Sequence, residues 1–255
     1  MEIKFINVSK SYGANTVLNQ INLTIKNFGA VILGPSGAGK STLLRCINYL
    51  TVPTDGQIYL NDIEVNQTNV QTVRNKVGFV FQQFNLFKNM SVIENLIYTP
   101  LIHYKNKMHA NTPPPLTPNT ESNFIQYIRE QGAKFLKRFN LYDKRDAMPK
   151  DLSGGQQQRV AVCRSLMMNP NVLLFDEPTS ALDPEIIKDL VLLTSELKKE
   201  TTIITVTHQI EFARAIASSI VFMDKGLVLE HTDADSFFSG PTSHRAKLFL
   251  NNCTL

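Results

Sequence analysis

Eight consecutive residues, Gly34-Pro35-Ser36-Gly37-Ala38-Gly39-Lys40-Ser41, carry the most specific chemistry in this chain. Their spacing is G-x-x-x-x-G-K-[ST]. Glycines at these places let the backbone curl until successive N–H groups point inward at phosphate oxygens, and a following helix adds its positive N-terminal end. Lys40 is placed to neutralise the outer phosphates, Ser41 offers a hydroxyl to Mg²⁺, and Thr42 belongs with them to the nucleotide-binding set. A second constellation lies far downstream. Val172-Leu173-Leu174-Phe175-Asp176-Glu177 is four apolar residues ending in two acids. A buried parallel strand with a carboxylate at its C-terminal tip places that acid where ligands of open α/β sheets bind. There Asp176 would meet the metal through water, because Mg²⁺ keeps much of its hydration. Glu177, one residue on, is the candidate general base for an attacking water.

The elements around these motifs are those that could aim them. Residues 3–8 and 17–25 alternate apolar and polar, and 57–60 precede an Asn61-Asp62 turn, so all three read as strands. Between them stands a strand over 30–33, the glycine-rich loop, and a helix over 40–50 with Leu43, Leu44, Ile47 and Leu50 at helical spacing. Strand, loop and helix in that order open a parallel α/β sheet. A strand over 76–81 follows. Ser91 caps a helix through Leu96, with Glu94 at the capping-box position. A helix over 123–140 buries Phe124, Ile128, Phe135, Leu136 and Phe139. Between these helices, 105–122 with Pro113-Pro114-Pro115 and Pro118 reads as an exposed loop. After residue 150 helix and strand alternate: helices over 156–168, 184–199 and 210–217, strands over 172–175, 202–206 and 219–223. A Lys225-Gly226 turn, a strand over 227–230 and two short helices split by Gly240-Pro241 end the chain. There is no internal repeat.

Bulk properties exclude several classes. The chain has 255 residues, is 43% hydrophobic and 19% charged, and is large enough to bury a core without staples. A net charge of +4 is too weak to argue for nucleic acid as a partner. Three scattered cysteines (Cys46, Cys163, Cys253) form no CxxC pair and suit a reducing compartment. The start, Met1-Glu2-Ile3-Lys4-Phe5, lacks the apolar stretch of a signal peptide, and no apolar run reaches the length of a membrane-spanning helix. Any action at a membrane therefore passes through a partner.

One further motif identifies the chain by resemblance. Leu152-Ser153-Gly154-Gly155-Gln156, followed by Gln157-Gln158-Arg159, resembles the signature of the ABC ATPase family, and it stands upstream of the acidic strand as in that family. The likeness covers essentially the whole chain. Physically, Ser153 and the glycine pair open a helix and leave free N–H groups and a hydroxyl aimed outward, a second anion-binding tip in a chain with one phosphate loop. The resemblance implies a P-loop NTPase fold: a RecA-like parallel sheet with an N-terminal antiparallel β subdomain over 1–83 and 150–255, and a helical subdomain over 84–149. It implies ATP and Mg²⁺ as ligands. It also implies a head-to-tail pairing with a second copy, each tip of Ser153, Gly154, Gly155 and Gln156 closing over ATP on the other copy. By position, Tyr12 resembles the aromatic that stacks on adenine. Gln82 resembles the glutamine that reaches the metal and the attacking water, Asp183 the loop acid that communicates across the pair, and His208 the switch histidine at the γ-phosphate. His103, His109, His231 and His244 have no such context.

Within the family, Val80-Phe81-Gln82-Gln83-Phe84-Asn85-Leu86-Phe87, Glu177-Pro178-Thr179-Ser180-Ala181-Leu182-Asp183-Pro184-Glu185, Phe212-Ala213-Arg214 and Phe222-Met223-Asp224-Lys225-Gly226 look like the polar amino acid importers. That group implies integral-membrane permease subunits, an external substrate-binding protein, and a place on the cytoplasmic face of the cell membrane. Two departures stand out: the long proline-rich segment, and Gln209 where an acid often follows the switch histidine. The alternatives are an ABC subunit of exporter or lipoprotein type and a soluble ABC ATPase acting as scaffold or switch. The latter usually carries two cassettes or a coiled coil, and neither is present. A GTPase is disfavoured because the Asn-Lys-x-Asp guanine reader is missing.

Overall fold

Period-two alternation sets the first sheet. In β1 (Glu2–Tyr12) Ile3, Phe5 and Val8 are buried, and in β2 (Asn15–Lys26) Leu18, Ile21, Leu23 and Ile25 are buried, so each strand lays one face on a core. The computed structural model describes residues 1–26, 29–109, 120–180 and 182–253. It divides into two units, Met1–Gln82 with Asn171–Leu255, and Gln83–Pro170.

The first unit runs through β1, β2, β3 (Ala30–Leu33), α1 (Lys40–Ile47), β4 (Asp55–Leu60), β5 (Ile63–Glu64), α2 (Val70–Lys76) and β6 (Val77–Val80). The second holds α3 (Val92–His109), α4 (Glu121–Arg138) and α5 (Gly154–Leu166). The chain then returns to the first unit with β7 (Val172–Asp176), α6 (Pro184–Leu197), β8 (Thr202–Thr207), α7 (Ile210–Ile216), β9 (Ser219–Asp224), β10 (Leu227–Asp233), α8 (Ala234–Ser239) and α9 (His244–Cys253).

Two sheets result. The antiparallel one has the order β2-β1-β4-β5, and the larger has β10-β9-β3-β8-β7-β6. From β9 to β6 the larger sheet is parallel, and β10 is an antiparallel edge. Residues on one face, Ile32, Val172, Leu174, Ile204, Val206, Val221 and Met223, join Leu43, Leu44 and Ile47 of α1 and the inner side of the antiparallel sheet in one core. Their alternates Leu173, Phe175, Ile220 and Phe222 are equally buried on the opposite face. Burial on both faces is why these strands read as continuous apolar runs. The short β5 and α2 escaped the sequence reading because α2 buries only Val73 and so has no apolar stripe to detect.

In the helical unit, α3 runs much further than the expected end at Leu96. Ile93, Leu96, Ile97, Pro100 and Tyr104 are all buried, so the apolar stripe continues through Pro100 and outweighs its helix-breaking tendency. The start is as expected: Ser91 N and Oγ donate to Glu94 Oε2 at 2.7 and 2.8 Å. Helix α4 buries Phe124, Ile128, Gly132 and Leu136, and is capped by Thr120, whose hydroxyl accepts from Asn123 N. At Gly132 a Cβ would come within 2.9 Å of Ile93 Cδ1, so the glycine lets α4 approach α3 closely. The Tyr104 and Phe124 rings stack at 4.1 Å.

Two boundary expectations change. The expected loop over 105–122 loses both ends to helix, since α3 reaches His109 and α4 starts at Glu121, with Lys105 and Glu121 paired at 2.7 Å. Its remaining part, 110–119, lies outside the described residues. The helical unit also extends to Pro170 rather than ending at 149. The cause is α5, whose Val160, Ala161, Val162 and Cys163 are fully buried in a helix that packs with α3 and α4.

Candidate functional site

Strand order decides what comes together. β3, β8, β7 and β6 are parallel neighbours, so their C-terminal tips line one edge of the sheet. Leu33 pairs with Thr207, and Asp176 with Val206. Gly34 therefore leaves β3 beside His208 after β8, with Glu177 after β7 on the far side of β8. Gln82 lies two residues past the end of β6, on the same edge. Carboxyl ends of strands are where open α/β sheets bind ligands.

The loop from Gly34 to Gly39 is shaped by positive φ angles and close packing. Gly34 has φ 152°, and a Cβ there would sit 2.0 Å from Met223 O. Gly39 has φ 94°, and a Cβ would meet Val17 O at 2.7 Å. Gly37, at φ 79°, faces open space instead. Pro35 and Ser36 complete the bend, which Ala38 N closes on Pro35 O at 3.3 Å. Lys40 is buried beneath the loop, its Nζ donating to Gly34 O and Pro35 O, both at 2.8 Å. Burial pushes the Lys40 pKa below the ordinary lysine value, against the carboxylates of Glu177 and Asp176, which push it up.

Asp176 is 1% exposed and accepts a hydrogen bond at each of its two oxygens. Ser41 Oγ donates to its Oδ1 at 2.6 Å, and Arg45 NH2 donates to its Oδ2 at 2.9 Å. Ser41 and Arg45 lie one turn apart on α1, which is how both reach the tip of β7. Arg45 is the residue that sequence reasoning missed. Its only signal was that i, i+4 spacing from Ser41, and its partner is 131 residues away.

Glu177 has φ 50°, a left-handed backbone that costs an L-residue roughly 1–2 kcal/mol. Neighbours hold it there: its N–H donates to Val206 O at 2.9 Å, and its carbonyl accepts from Ser180 Oγ at 3.0 Å. The turn brings the carboxylate to 3.9 Å from Lys40 Nζ. His208 Nδ1–H donates to its other oxygen at 2.8 Å, which leaves Nε2 available to another partner. Lys40, Ser41, Asp176, Glu177 and His208 thus form one connected cluster.

The other expected residues stand apart from it. Gln82 makes no hydrogen bond among the described residues. Tyr12 ends β1 at the Gly13 turn, is 54% exposed, and has Lys10 Nζ 4.9 Å from its ring centre. Asp183 is exposed at the start of α6, and its side chain makes no capping bond. In the helical unit Ser153 caps α5 through a full capping box. Ser153 Oγ accepts from Gln156 N at 3.4 Å, and Ser153 N donates to Gln156 Oε1 at 3.0 Å. The expectation of a hydroxyl and N–H groups left free is thereby narrowed. Gln156 spends its carbonyl oxygen on the cap, and the N–H groups of Gly154 and Gly155 are the ones the box leaves untouched.

The donor set fits a magnesium-bound nucleotide. Ser41 and Asp176 offer only hard oxygen atoms, and Ser41 keeps its lone pairs free while its O–H stays on Asp176. Among the described residues no group of three or more His, Cys, Asp or Glu could hold a metal alone. Mg²⁺ is suited to such a site, since it takes one or two protein ligands and completes its shell with phosphates and water.

Comparison with known proteins agrees with this geometry. The model of the ABC transporter family matches residues 18–180. The chain belongs to the ABC transporter family. It is 41% identical to the arginine transport ATP-binding protein ArtM of Bacillus subtilis, over 97% of this chain and 98% of that protein. It is 42% identical to the glutamine transport ATP-binding protein GlnQ of Geobacillus stearothermophilus, over 98% of both chains. Among solved structures, dimeric MJ0796, a bacterial ABC transporter cassette, superposes with a TM-score of 0.76 at 34% identity, covering 91% of this chain and 98% of that one. The same cassette as a dimer bound to ADP and Pi gives 0.73 at 33% identity. The two sheets and the helical unit are thus those of an ABC cassette with a P-loop NTPase fold.

Proposed function

We propose that this chain is the ATP-binding and ATP-hydrolysing subunit that powers an importer of polar amino acids. The observation that carries the reading is the near end-to-end likeness to amino-acid transport ATP-binding proteins, with 98% of the glutamine protein covered. The clustered tips of β3, β7 and β8 supply a mechanism for the hydrolysis. The loop N–H groups and Lys40 cradle the phosphates, and Tyr12 stacks on the base. Ser41 and Asp176 hold Mg²⁺, which when bound neutralises phosphate charge. Glu177 takes a proton from the attacking water, and its left-handed backbone fixes the carboxylate for that task. His208, now on Glu177, and Gln82, on the same edge, order the γ-phosphate end of the site.

A second copy completes each site. Its Ser153, Gly154, Gly155 and Gln156 close over the nucleotide, and Asp183 lies at the junction. ATP favours the closed pair by its differential contacts, and loss of the γ-phosphoryl group reopens it. No helix among the described residues is long and apolar enough to cross a membrane. In this reading separate permease subunits form the path, an external binding protein delivers the amino acid, and this chain works on the cytoplasmic face.

The test is recovery of the tagged chain from detergent-solubilised native membranes, with mass spectrometry of whatever comes with it. A polytopic permease in stoichiometric amount supports the importer. Recovery with soluble proteins only, and absence from the membrane fraction, counts against it.

A further inference from the structure

The segment that follows Gln82 contains two consecutive non-glycine residues in the left-handed region, Phe84 at φ 57° and Asn85 at φ 49°. Side chains with a Cβ disfavour that backbone, so something else must hold it. Arg164 of α5 does. Its NH1 donates to Asn85 O at 2.6 Å and its NH2 to Phe84 O at 3.0 Å. Its guanidinium also lies 5.7 Å from the centre of the Phe87 ring. A planar fork of donors is well matched to two adjacent carbonyls, which a lysine could not grip in the same way.

The far end of the segment is clamped as firmly. Asn95 of α3 is fully buried. Its Oδ1 accepts from Phe87 N at 2.8 Å, and its Nδ2 donates to the carbonyls of Phe87, Met90 and Ser91 at 3.0–3.1 Å. What this segment presents outward is apolar. Phe87 is 40% exposed and meets Tyr98 edge-on at 5.0 Å, and Ile102 continues the exposed stripe one turn along α3. The helix that Arg164 belongs to begins at the capped Ser153–Gly154–Gly155 turn. At 1.5 Å per residue that turn lies roughly 16 Å along α5 from Arg164.

We propose that Arg164 is a positioning residue that couples permease contact to ATP turnover. It binds residues 84–87 to α5, so that force on the Phe87–Tyr98 edge moves the Ser153–Gly155 tip with it. This rests on the reading of the chain as an importer subunit. Arg164 touches neither nucleotide nor metal ligands, and coupling in packed proteins travels through elements that move as one body.

The test uses the full chain, alone and assembled with its permease in proteoliposomes containing the binding protein. Arg164→Met removes both bonds, and Arg164→Lys keeps the charge without the fork. Basal turnover of the isolated Met variant stays at the wild-type level. Stimulation by loaded binding protein falls about tenfold, inside the roughly 5–150-fold span of coupling between sites, and the Lys variant lies between. Amide exchange of residues 84–87 quickens while α5 keeps its protection. Full stimulation in the Met variant, or in the Lys variant should Met not fold, overturns the proposal. So does loss of basal turnover together with α5 protection, since Arg164 would then only hold the fold. A wild-type chain that joins no permease defeats the importer reading itself, and shows this before any variant is made.

Discussion

Replacing Glu177 by Gln keeps the shape of the side chain and removes its charge and its basicity. In the structure that carboxylate is 12% exposed, 3.9 Å from Lys40 Nζ and 2.8 Å from His208 Nδ1. At 3.9 Å and an effective dielectric of about 20, its attraction to Lys40 is about 4 kcal/mol before desolvation is subtracted. Both groups pay that desolvation, so the net effect on stability is small. The rate is another matter. Losing a positioned general base costs about 10²–10⁴-fold, or about 2.7–5.5 kcal/mol of barrier at roughly 1.36 kcal/mol per decade. Nucleotide affinity does not fall, because a negative charge has left the neighbourhood of the phosphates. The variant should therefore hold ATP in a stable pair of chains. Phosphate release in a single turnover measures the rate, and sedimentation with and without ATP measures the pairing. A pH titration adds a check with a definite sign. Burial depresses the Lys40 pKa, and Glu177 is the stronger of the two carboxylates opposing that. Phosphate binds the protonated amine, so affinity falls as pH rises through the free-protein pKa of Lys40. In the Gln variant that fall starts at a lower pH than in wild type. Hydrolysis by the variant within about tenfold of the wild-type rate would refute the base assignment.

Other changes report on the cradle and the scaffold. Gly34→Ala puts a Cβ 2.0 Å from Met223 O, so the loop must move; nucleotide binding is lost and urea unfolding shows a destabilisation of about 1–3 kcal/mol. Tyr12→Ala weakens ATP binding by about 1–3 kcal/mol in a fluorescent-nucleotide titration, with Tyr12→Trp retaining affinity, and leaves stability unchanged because the ring is exposed. Glu94→Ala removes half of a capping box and costs about 0.5–1 kcal/mol at neutral pH. The Ser91 N–H and hydroxyl hold the Glu94 pKa below the usual carboxylate value. That contribution is thus present above the ordinary glutamate pKa and disappears as pH falls through the lowered one, so unfolding curves of variant and wild type converge in acid.

What could be read from the sequence was what is local. The phosphate loop is contiguous, and its glycines are dictated by backbone angles that the structure displays at Gly34, Gly37 and Gly39. The parallel strands announced themselves as apolar runs because both their faces are covered. What could not be read was what the fold alone creates. Arg45 looked like any charged residue on α1 until β7 brought Asp176 to it. Phe84 and Asn85 carried no glycine to betray their left-handed backbone, since Arg164, about eighty positions later, supplies what a glycine would have made unnecessary. The end of the helical unit was misjudged for a related reason. α5 alternates with strands in sequence like a crossover helix, but its burial is against α3 and α4. The expected end of α3 at Leu96 likewise came too soon, because the burial of Pro100 and Tyr104 carries the helix on to His109.

In the proposed function this chain turns ATP hydrolysis into amino acid uptake. It is tested most directly in proteoliposomes holding the chain with the permease recovered from its native membrane. ATP sits with the chain, and the binding protein and radiolabelled amino acids are on the opposite side. The expected result is accumulation that needs ATP and vanishes in Glu177→Gln and Lys40→Ala. Uptake that proceeds equally with either variant, or ATP hydrolysis that never moves an amino acid, would contradict it.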